Sequence, residues 1–309
     1  MTDRKGRPGF RPFARGRAGP APPLWLAGAA LALCGLALCG CRPAGAVGAA
    51  DPSRSASRAP ARPSSSPSVA TSAATGSASP SPSPAALPLA GRIIGIDPGH
   101  NGGNFNDAGT IGQEIWNGTG WETCDTTGTT TDDGYTEAQF NFNVALDLRA
   151  DLRRDGARVV MTRTSNDGVG PCVNTRSAII NNARADVAVD IHADGGPASG
   201  RGFTILEPVA DGPNDHVVAA SQQFGNDVRQ ALLTETSMPE SDYTGMDGIL
   251  PRDDLAGLNL TTVPKVLVEC GNMRNATDAQ LLVTAGFQVL VARALTAAIV
   301  RFLNGQGQG

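Results

Sequence analysis

Two histidines of this chain come directly after apolar strand patterns. His100 closes the segment Asp97-Pro-Gly-His100, where Gly99 allows a sharp turn of the backbone, and His192 ends a second pattern in Ile-His-Ala. Ligands bind beyond the carboxyl ends of the strands in open α/β sheets, so imidazoles at two such ends can converge on one site. An isolated histidine at a strand end is more commonly a hydrogen-bonded core or surface residue, and spacing by itself does not separate the two alternatives.

Two glutamates extend this pattern. Glu137 lies in the first turn of a helix pattern, where its carboxylate could point over the same sheet edge. Two imidazoles and one carboxylate leave zinc an open fourth position, which is the catalytic arrangement rather than the structural one. Glu269 closes an apolar strand pattern with a charge, and we expect it to act as a general base. The simpler alternatives are a glutamate that favours the helix dipole and an exposed strand end.

The elements that must position these residues alternate between strands and helices. Apolar strand patterns cover 92–97, 158–163, 186–192, 202–207 and 264–269. Helical patterns cover 174–185, 214–234 and 278–303, and another begins with the capping-box pattern at Thr136 and ends at Gly156. This alternation predicts an α/β fold with a twisted, mostly parallel (mixed) sheet of about five to six strands, helices on both faces, and a single catalytic domain.

A long polar segment separates His100 from the helix that begins near Thr136. It is rich in Gly, Thr, Asn and Asp and contains Trp116 and Trp121. The Asn117-Gly118 pair allows a hairpin turn between the two tryptophans. A segment of this length is either a surface excursion pinned by its tryptophans or one wall of a substrate groove.

The cysteines after position 90 differ in their surroundings. Cys124 and Cys172 lie in polar, loop-like contexts, and in an oxidising compartment they are candidates for one disulfide. Cys270 lies inside an apolar strand pattern, where cysteine usually acts as a small core residue.

The N-terminal third has the composition of an export signal followed by a linker. Six basic residues within the first 23 precede an uncharged apolar run from Leu24 to Cys41. Its last four residues, Leu38-Cys-Gly-Cys41, resemble a lipobox with Cys41 as the lipidated residue, although Cys39 departs from that pattern. Secretion without lipid and an uncleaved anchor remain alternatives. Residues 42–90 are rich in Ala, Ser and Pro, which predicts a disordered linker.

The net charge of the chain after position 90 indicates which partners it can bind. Residues 91–309 hold 15 basic and 27 acidic residues, a net charge of −12. Phosphate binding needs a basic footprint, so we expect no nucleic-acid partner. With an export signal in front, we expect a monomeric domain outside the cytoplasm, either anchored to the outer face of the membrane or secreted to the cell wall.

Together these residues resemble the zinc-dependent N-acetylmuramoyl-L-alanine amidases of the type-3 amidase family. The resemblance runs in order through residues 91–303. It is carried by Asp97-Pro-Gly-His100, Glu137 at a helix start, Thr162-Arg163, Arg176, Ile191-His192-Ala193 and Val268-Glu269-Cys-Gly-Asn-Met-Arg-Asn275.

The resemblance implies a function and a role for each residue. His100, Glu137 and His192 would be the zinc ligands, and Glu269 the catalytic carboxylate. The substrate would be peptidoglycan or a muropeptide, cut at the amide between N-acetylmuramic acid and L-alanine. The alternatives are a zinc peptidase or deacetylase acting on another envelope amide, and a non-catalytic homologue that binds peptidoglycan.

Two residues beside His192 depart from the family pattern. Asp190 and Asp194 stand where the family often has Ser and Asn. Either carboxylate could orient His192 from outside the ligand set, or could simply be solvated.

Overall fold

The computed structural model describes residues 86–305. The predicted export signal 1–41, the lipidation site Cys41 and most of the linker lie outside this range. The predicted linker boundary at position 90 is a few residues too late. Leu89 is fully buried in the core, and its N–H donates to the carbonyl of Asp155 at 2.9 Å. Leu87 and Leu89 are the first large apolar residues after the Ser/Pro-rich stretch, and the packed domain includes Leu89, whereas Leu87 is 54% exposed.

The centre of the domain is a six-stranded mixed sheet with the order β4-β1-β5-β8-β6-β7. The first four strands in this order are parallel, β6 is antiparallel to β8, and β7 is parallel to β6. A separate hairpin is formed by β2 and β3. The strands are β1 (Ile93–Pro98), β2 (Glu114–Trp116), β3 (Trp121–Thr123), β4 (Arg158–Met161), β5 (Val187–Asp194), β6 (Thr204–Pro208), β7 (Ile249–Arg252) and β8 (Lys265–Asn272).

Helices cover both faces of the sheet, as the sequence predicts. The helices are α1 (Ala108–Ile111), α2 (Glu137–Arg154), α3 (Val173–Ala183), α4 (Val218–Glu235), α5 (Ala256–Asn259), α6 (Ala276–Leu282) and α7 (Ala285–Gly305). Successive side chains of a strand point to opposite faces. Val189 and Ile191 therefore join the main core under α2, α4 and α7, whereas Ala188 packs on Ile180 of α3.

Helix α2 follows its sequence pattern closely. The Thr136 side chain accepts a hydrogen bond from the N–H of Gln139 at 3.3 Å, which caps the first turn. Buried residues at a spacing of four, such as Val144 and Leu148, hold the helix on the sheet, and Gly156 ends it with a φ of +97°. The cap thus places the first residue of α2, Glu137, at the carboxyl edge of the parallel strands.

The C-terminal helical pattern is two helices rather than one. The predicted helix 278–303 is wrong in this respect because α6 ends at Leu282 and α7 begins at Ala285. The hydroxyl of Thr284 explains the break: it donates to the carbonyl of Leu281 at 2.8 Å and accepts from the N–H of Phe287 at 3.4 Å. Helix α7 is long and apolar enough to span a membrane by composition, but it packs between α2 and α4 as a core helix.

Candidate metal centre

The carboxyl edge of the sheet brings three predicted residues together. One ligand atom each from His100, Glu137 and His192 lies within 4.8 Å of the others. Oε1 of Glu137 lies 2.8 Å from Nδ1 of His192 and 3.3 Å from Nε2 of His100. The two imidazole rings stand nearly perpendicular, with their centroids 5.0 Å apart. Residues that are 37 and 55 positions apart in the chain therefore share one small site.

The chemistry of these donors fits a metal ion. Nδ1 of His100 faces two acceptors, Oδ1 of Asp125 at 3.0 Å and the carbonyl of Thr126 at 3.2 Å. A carbonyl oxygen cannot donate, so Nδ1 carries a proton, and Nε2 is the ring nitrogen that faces the cluster, where a metal cation would take the place of a second proton. The second oxygen of Glu137 accepts from the N–H of Thr129 at 2.9 Å, which leaves Oε1 facing the rings. Two imidazole nitrogens and a carboxylate oxygen suit a catalytic metal ion with an open position.

The close approach of these side chains changes the pKa values of His100 and Glu137. Burial alone would lower the pKa of His100, but the Glu137 charge and the hydrogen bond with Asp125 outweigh it and raise that pKa to about 10. Burial would raise the pKa of Glu137, yet the neighbouring imidazoles hold it well below its ordinary value. Glu137 is therefore an anion, as a ligand for a cation must be.

The turn that carries His100 is shaped differently from the sequence expectation. The left-handed residue is His100 itself, with a φ of +55°, and not Gly99. Gly99 is required for another reason: a Cβ there would lie 2.1 Å from Cε1 of His192. Glycine is also required at position 128, because a Cβ there would lie 2.7 Å from Cδ2 of His100 and 2.8 Å from Oε2 of Glu137.

Two buried arginines hold this strained turn. Arg163 donates to the carbonyls of Pro98 and Gly99 at 2.8 and 3.2 Å, and Arg176 donates to those of Pro98 and His100 at 2.9 Å each. A left-handed residue other than glycine costs about 1–3 kcal/mol, and such charge-assisted hydrogen bonds offset that cost. Both arginines belong to the motifs quoted above, but the sequence did not indicate what they contact.

Asp125 is a site residue that the sequence analysis missed. It is 5% exposed, and while Oδ1 faces Nδ1 of His100, Oδ2 accepts from Nη2 of Arg176 at 2.9 Å. A carboxylate behind a histidine ligand fixes the ring orientation and its tautomer. The one available signal was its neighbour Cys124, because the predicted disulfide brings position 125 close to the segment before Arg176.

The structure contains that disulfide. The Sγ atoms of Cys124 and Cys172 are 2.09 Å apart and the Cα atoms 4.3 Å apart. The bridge joins the end of β3 to the start of α3, directly beside the Asp125–Arg176 pair. Cys270 is a buried free cysteine in the main core.

Asp190 and Asp194 bond other side chains and do not contact His192 as either could have done. Oδ1 of Asp190 pairs with the fully buried Nζ of Lys265 at 2.8 Å, and Oδ2 of Asp194 accepts from the Tyr243 hydroxyl at 2.8 Å. Within residues 86–305, neither aspartate hydrogen-bonds His192. Their partners come from β8 and from the loop before β7, so spacing along β5 could not indicate them.

Glu269 faces the centre from the neighbouring strand. It pairs in register with His192 between β8 and β5, so both side chains project from the same face of the sheet. Its Oε2 is buried and has no hydrogen-bond partner among the described residues. Burial raises the pKa of Glu269 well above its ordinary value, and the nearby charges of Glu137 and Asp194 raise it further.

A cavity of about 170 Å³ opens beside the imidazoles. His100 and His192 form part of its wall, Leu255 and Leu267 contribute apolar surface, and Glu122 of the hairpin lies at its side. The arrangement can therefore hold a metal ion, a polar group to be cleaved and part of a substrate at one sheet edge.

Comparisons with known proteins identify the family of this chain. The family model described as N-acetylmuramoyl-L-alanine amidase matches residues 94–301. An N-acetylmuramoyl-L-alanine amidase of Mycobacterium tuberculosis is 40% identical over 227 residues, which cover 71% of this chain and 90% of that protein. A germination-specific N-acetylmuramoyl-L-alanine amidase of Bacillus subtilis is 26% identical, over 71% of this chain and 83% of that protein.

A solved structure shows the same architecture. The crystal structure of the N-acetylmuramyl-L-alanine amidase Ami1 of Mycobacterium smegmatis matches with a TM-score of 0.67 and 40% identity, covering 71% of this chain and 99% of that one. The family match covers more than half of the chain and includes all four residues of the centre. This chain therefore belongs to the N-acetylmuramoyl-L-alanine amidase family.

Proposed function

We propose that this protein hydrolyses the amide between N-acetylmuramic acid and L-alanine in peptidoglycan, with a zinc ion held by His100, Glu137 and His192 and with Glu269 as the general base. Family membership supports the amidase reaction. The donor set supports a metal ion, and two nitrogens with one oxygen at an open site are typical ligands of catalytic zinc.

The chemistry divides between the ion and the protein. When bound, zinc supplies Lewis acidity, which makes water more acidic and an amide carbonyl more electrophilic. Oε2 of Glu269 takes a proton from the attacking water as its oxygen bonds to the lactyl carbonyl carbon. Glu269 then delivers that proton to the nitrogen as the carbon–nitrogen bond breaks. The products are a lactyl carboxylic acid on the sugar and the free amine of L-alanine.

One observation carries the assignment of Glu269. Its Oε2 is buried beside His192 without a hydrogen-bond partner in the described part of the chain, which is costly for a group that has no function there. Burial raises the pKa of this carboxyl, which makes its ionised form a stronger proton acceptor than an exposed glutamate. Asp125, by contrast, already makes three hydrogen bonds, with His100, with the N–H of Thr126 and with Arg176.

Two substitutions test the proposal. Glu137→Ala should lower zinc content and activity together because it removes a ligand. Glu269→Gln should keep zinc while lowering kcat by about 10²- to 10⁴-fold, since Gln preserves the shape but cannot accept the proton. Zinc content is measured by elemental analysis, and products by mass spectrometry of digested muropeptides. Loss of zinc from Glu269→Gln, or turnover near the parent rate, would remove Glu269 from this role.

The products also separate rival activities. A new amine on L-alanine supports the amidase. A free amino sugar supports a deacetylase, and cleavage inside the stem peptide supports a peptidase. Full activity in metal-free protein would exclude the zinc mechanism.

We further propose that the domain acts outside the cytoplasm as a monomer. The basic and apolar N-terminal segment supports export, and the lipobox-like end supports a lipid anchor at Cys41. Metabolic lipid labelling tests the anchor: the parent chain should incorporate label and Cys41→Ser should not. A parent chain released unlabelled into the medium would instead favour secretion.

A further inference from the structure

The β2–β3 hairpin displays two tryptophans to solvent. Trp116 is 48% exposed and Trp121 is 67% exposed, and they lie directly opposite each other in the hairpin register. Their rings meet edge to face, with centroids 5.6 Å apart at an angle of 73°. Large aromatic surface left exposed in this way commonly marks a binding surface.

The hairpin is held firmly against the rest of the domain. The Asn117 side chain donates to the carbonyl of Asp254 at 3.0 Å, and the Thr119 hydroxyl donates to that of Asp253 at 3.0 Å. On its inner face the carboxylate of Glu122 accepts from the N–H of Ala256 at 2.9 Å. The two rings are therefore displayed by a structure already ordered for binding, and a ligand would not have to order it.

The hairpin also borders the metal centre. Glu122 and Thr123 line the cavity that contains His100 and His192. Asp125, which contacts His100, is four residues beyond Trp121, and four residues span at most about 14 Å. Whatever binds the ring pair therefore lies within a few sugar lengths of the cleaved bond.

We propose that Trp116 and Trp121 form a glycan subsite that stacks on the pyranose rings next to the muramic acid being cleaved. Pyranose rings present flat faces of C–H groups, which pack on the negative face of an aromatic ring. A neutral sugar also suits the electrostatics, because residues 91–309 carry a net charge of −12 and repel anionic lipid surfaces. The inference rests on the proposed amidase function, because it assigns part of that substrate.

Kinetics on two substrates test the subsite. We expect Trp121→Ala to raise KM for glycan strands of several disaccharides by about tenfold, the loss typical of one aromatic stacking contact, with a smaller change for a muramoyl peptide that has no neighbouring sugar. Trp121→Phe should recover part of the loss because it restores an aromatic face. Leu233→Ala, which removes another exposed apolar side chain on α4, is the control and should leave both KM values unchanged.

A binding measurement separates this inference from the amidase assignment. The chain has three tryptophans, so Trp25→Phe in the full chain leaves the hairpin pair as its only tryptophans, and excitation on the long-wavelength side of tyrosine absorption reads that pair alone. Adding glycan oligomers that lack stem peptides should shift this fluorescence whether or not the protein cleaves an amide. No shift at millimolar oligomer would overturn the subsite, as would equal losses of Trp121→Ala on both substrates. A Trp121-dependent dimer in sedimentation, or Trp121-dependent binding to vesicles of anionic lipid, would also overturn it in favour of those occupants.

Discussion

Asp125→Asn is expected to weaken metal binding without touching a ligand. Two side-chain contacts of the carboxylate point in opposite directions, to Nδ1 of His100 at 3.0 Å and to Nη2 of Arg176 at 2.9 Å, and Oδ1 also accepts from the N–H of Thr126 at 2.7 Å. Both partners are donors. An amide has one acceptor oxygen, so its NH₂ group must face either the imidazole N–H or the guanidinium. The substitution therefore loosens His100 or leaves Arg176 with Asp97 as its one remaining carboxylate partner in the described structure.

The structure sets the size of the effect. Loss of a hydrogen-bonded carboxylate behind a histidine ligand typically lowers metal affinity by 10- to 100-fold, which is about 1.4–2.7 kcal/mol. The charge-assisted contact with Arg176 should add a loss of about 2 kcal/mol in the free energy of unfolding. It should not be larger, because Arg176 keeps Asp97 and its bonds to backbone carbonyls.

Competition with a zinc chelator measures the affinity, and urea denaturation of the metal-free protein measures the stability. Asp194→Asn is the matched control because it removes an equal charge near the centre, yet Asp194 bonds Tyr243 and not His192. We expect its zinc affinity to stay within about twofold of the parent, as is usual for a residue outside the ligand contacts. Equal losses in the two variants, or an unchanged affinity in Asp125→Asn, would refute the positioning role.

Three further outcomes follow from the same geometry. Cys124 and Cys172 should resist alkylation in native unreduced protein, and Cys124→Ser should cost about 2–4 kcal/mol in urea denaturation; two freely reactive thiols would contradict the bridge. Gly128→Ala should shed metal while keeping its circular dichroism, because its Cβ meets His100 and Glu137, whereas Gly134→Ala has a similar positive φ in open space and should keep the metal. Burial raises the pKa of the Glu207 carboxyl from 4.5 to about 7, so the folded protein favours the protonated form. The stability that this carboxyl contributes is therefore complete below pH 4.5 and is lost as pH rises through 7. Glu207→Gln should match the parent at low pH and be more stable at pH 8, by at most about 3 kcal/mol in denaturant titrations, and a constant difference across pH would be inconsistent with this carboxylate.

Much of this protein could be predicted from local patterns. Period-two and period-four apolar spacing located five of the six sheet strands and helix α2, because the burial of one face of an element sets the spacing of its apolar residues along the chain. The four residues of the centre could be grouped from the sequence because strand ends in a parallel sheet meet at one edge, and the family resemblance implied their roles, which stay predictions. The hairpin around Asn117-Gly118 was equally local, although its connection has four residues, 117–120, and is longer than the tight turn that Asn-Gly suits.

Other features depended on contacts between distant segments. The departure from the family pattern left Asp190 as either a partner of His192 or a solvated residue, but Lys265 from another strand pairs with that carboxylate in the structure. Asp125 had no distinguishing pattern of its own, and it acts only because the chain folds it between His100 and Arg176. Local sequence thus determined the elements and the residue types at the sheet edge, since periodicity and turn chemistry are properties of neighbouring residues. The tertiary structure alone decided which buried charges pair, because a buried charge binds whichever partner the packed chain brings within hydrogen-bond distance.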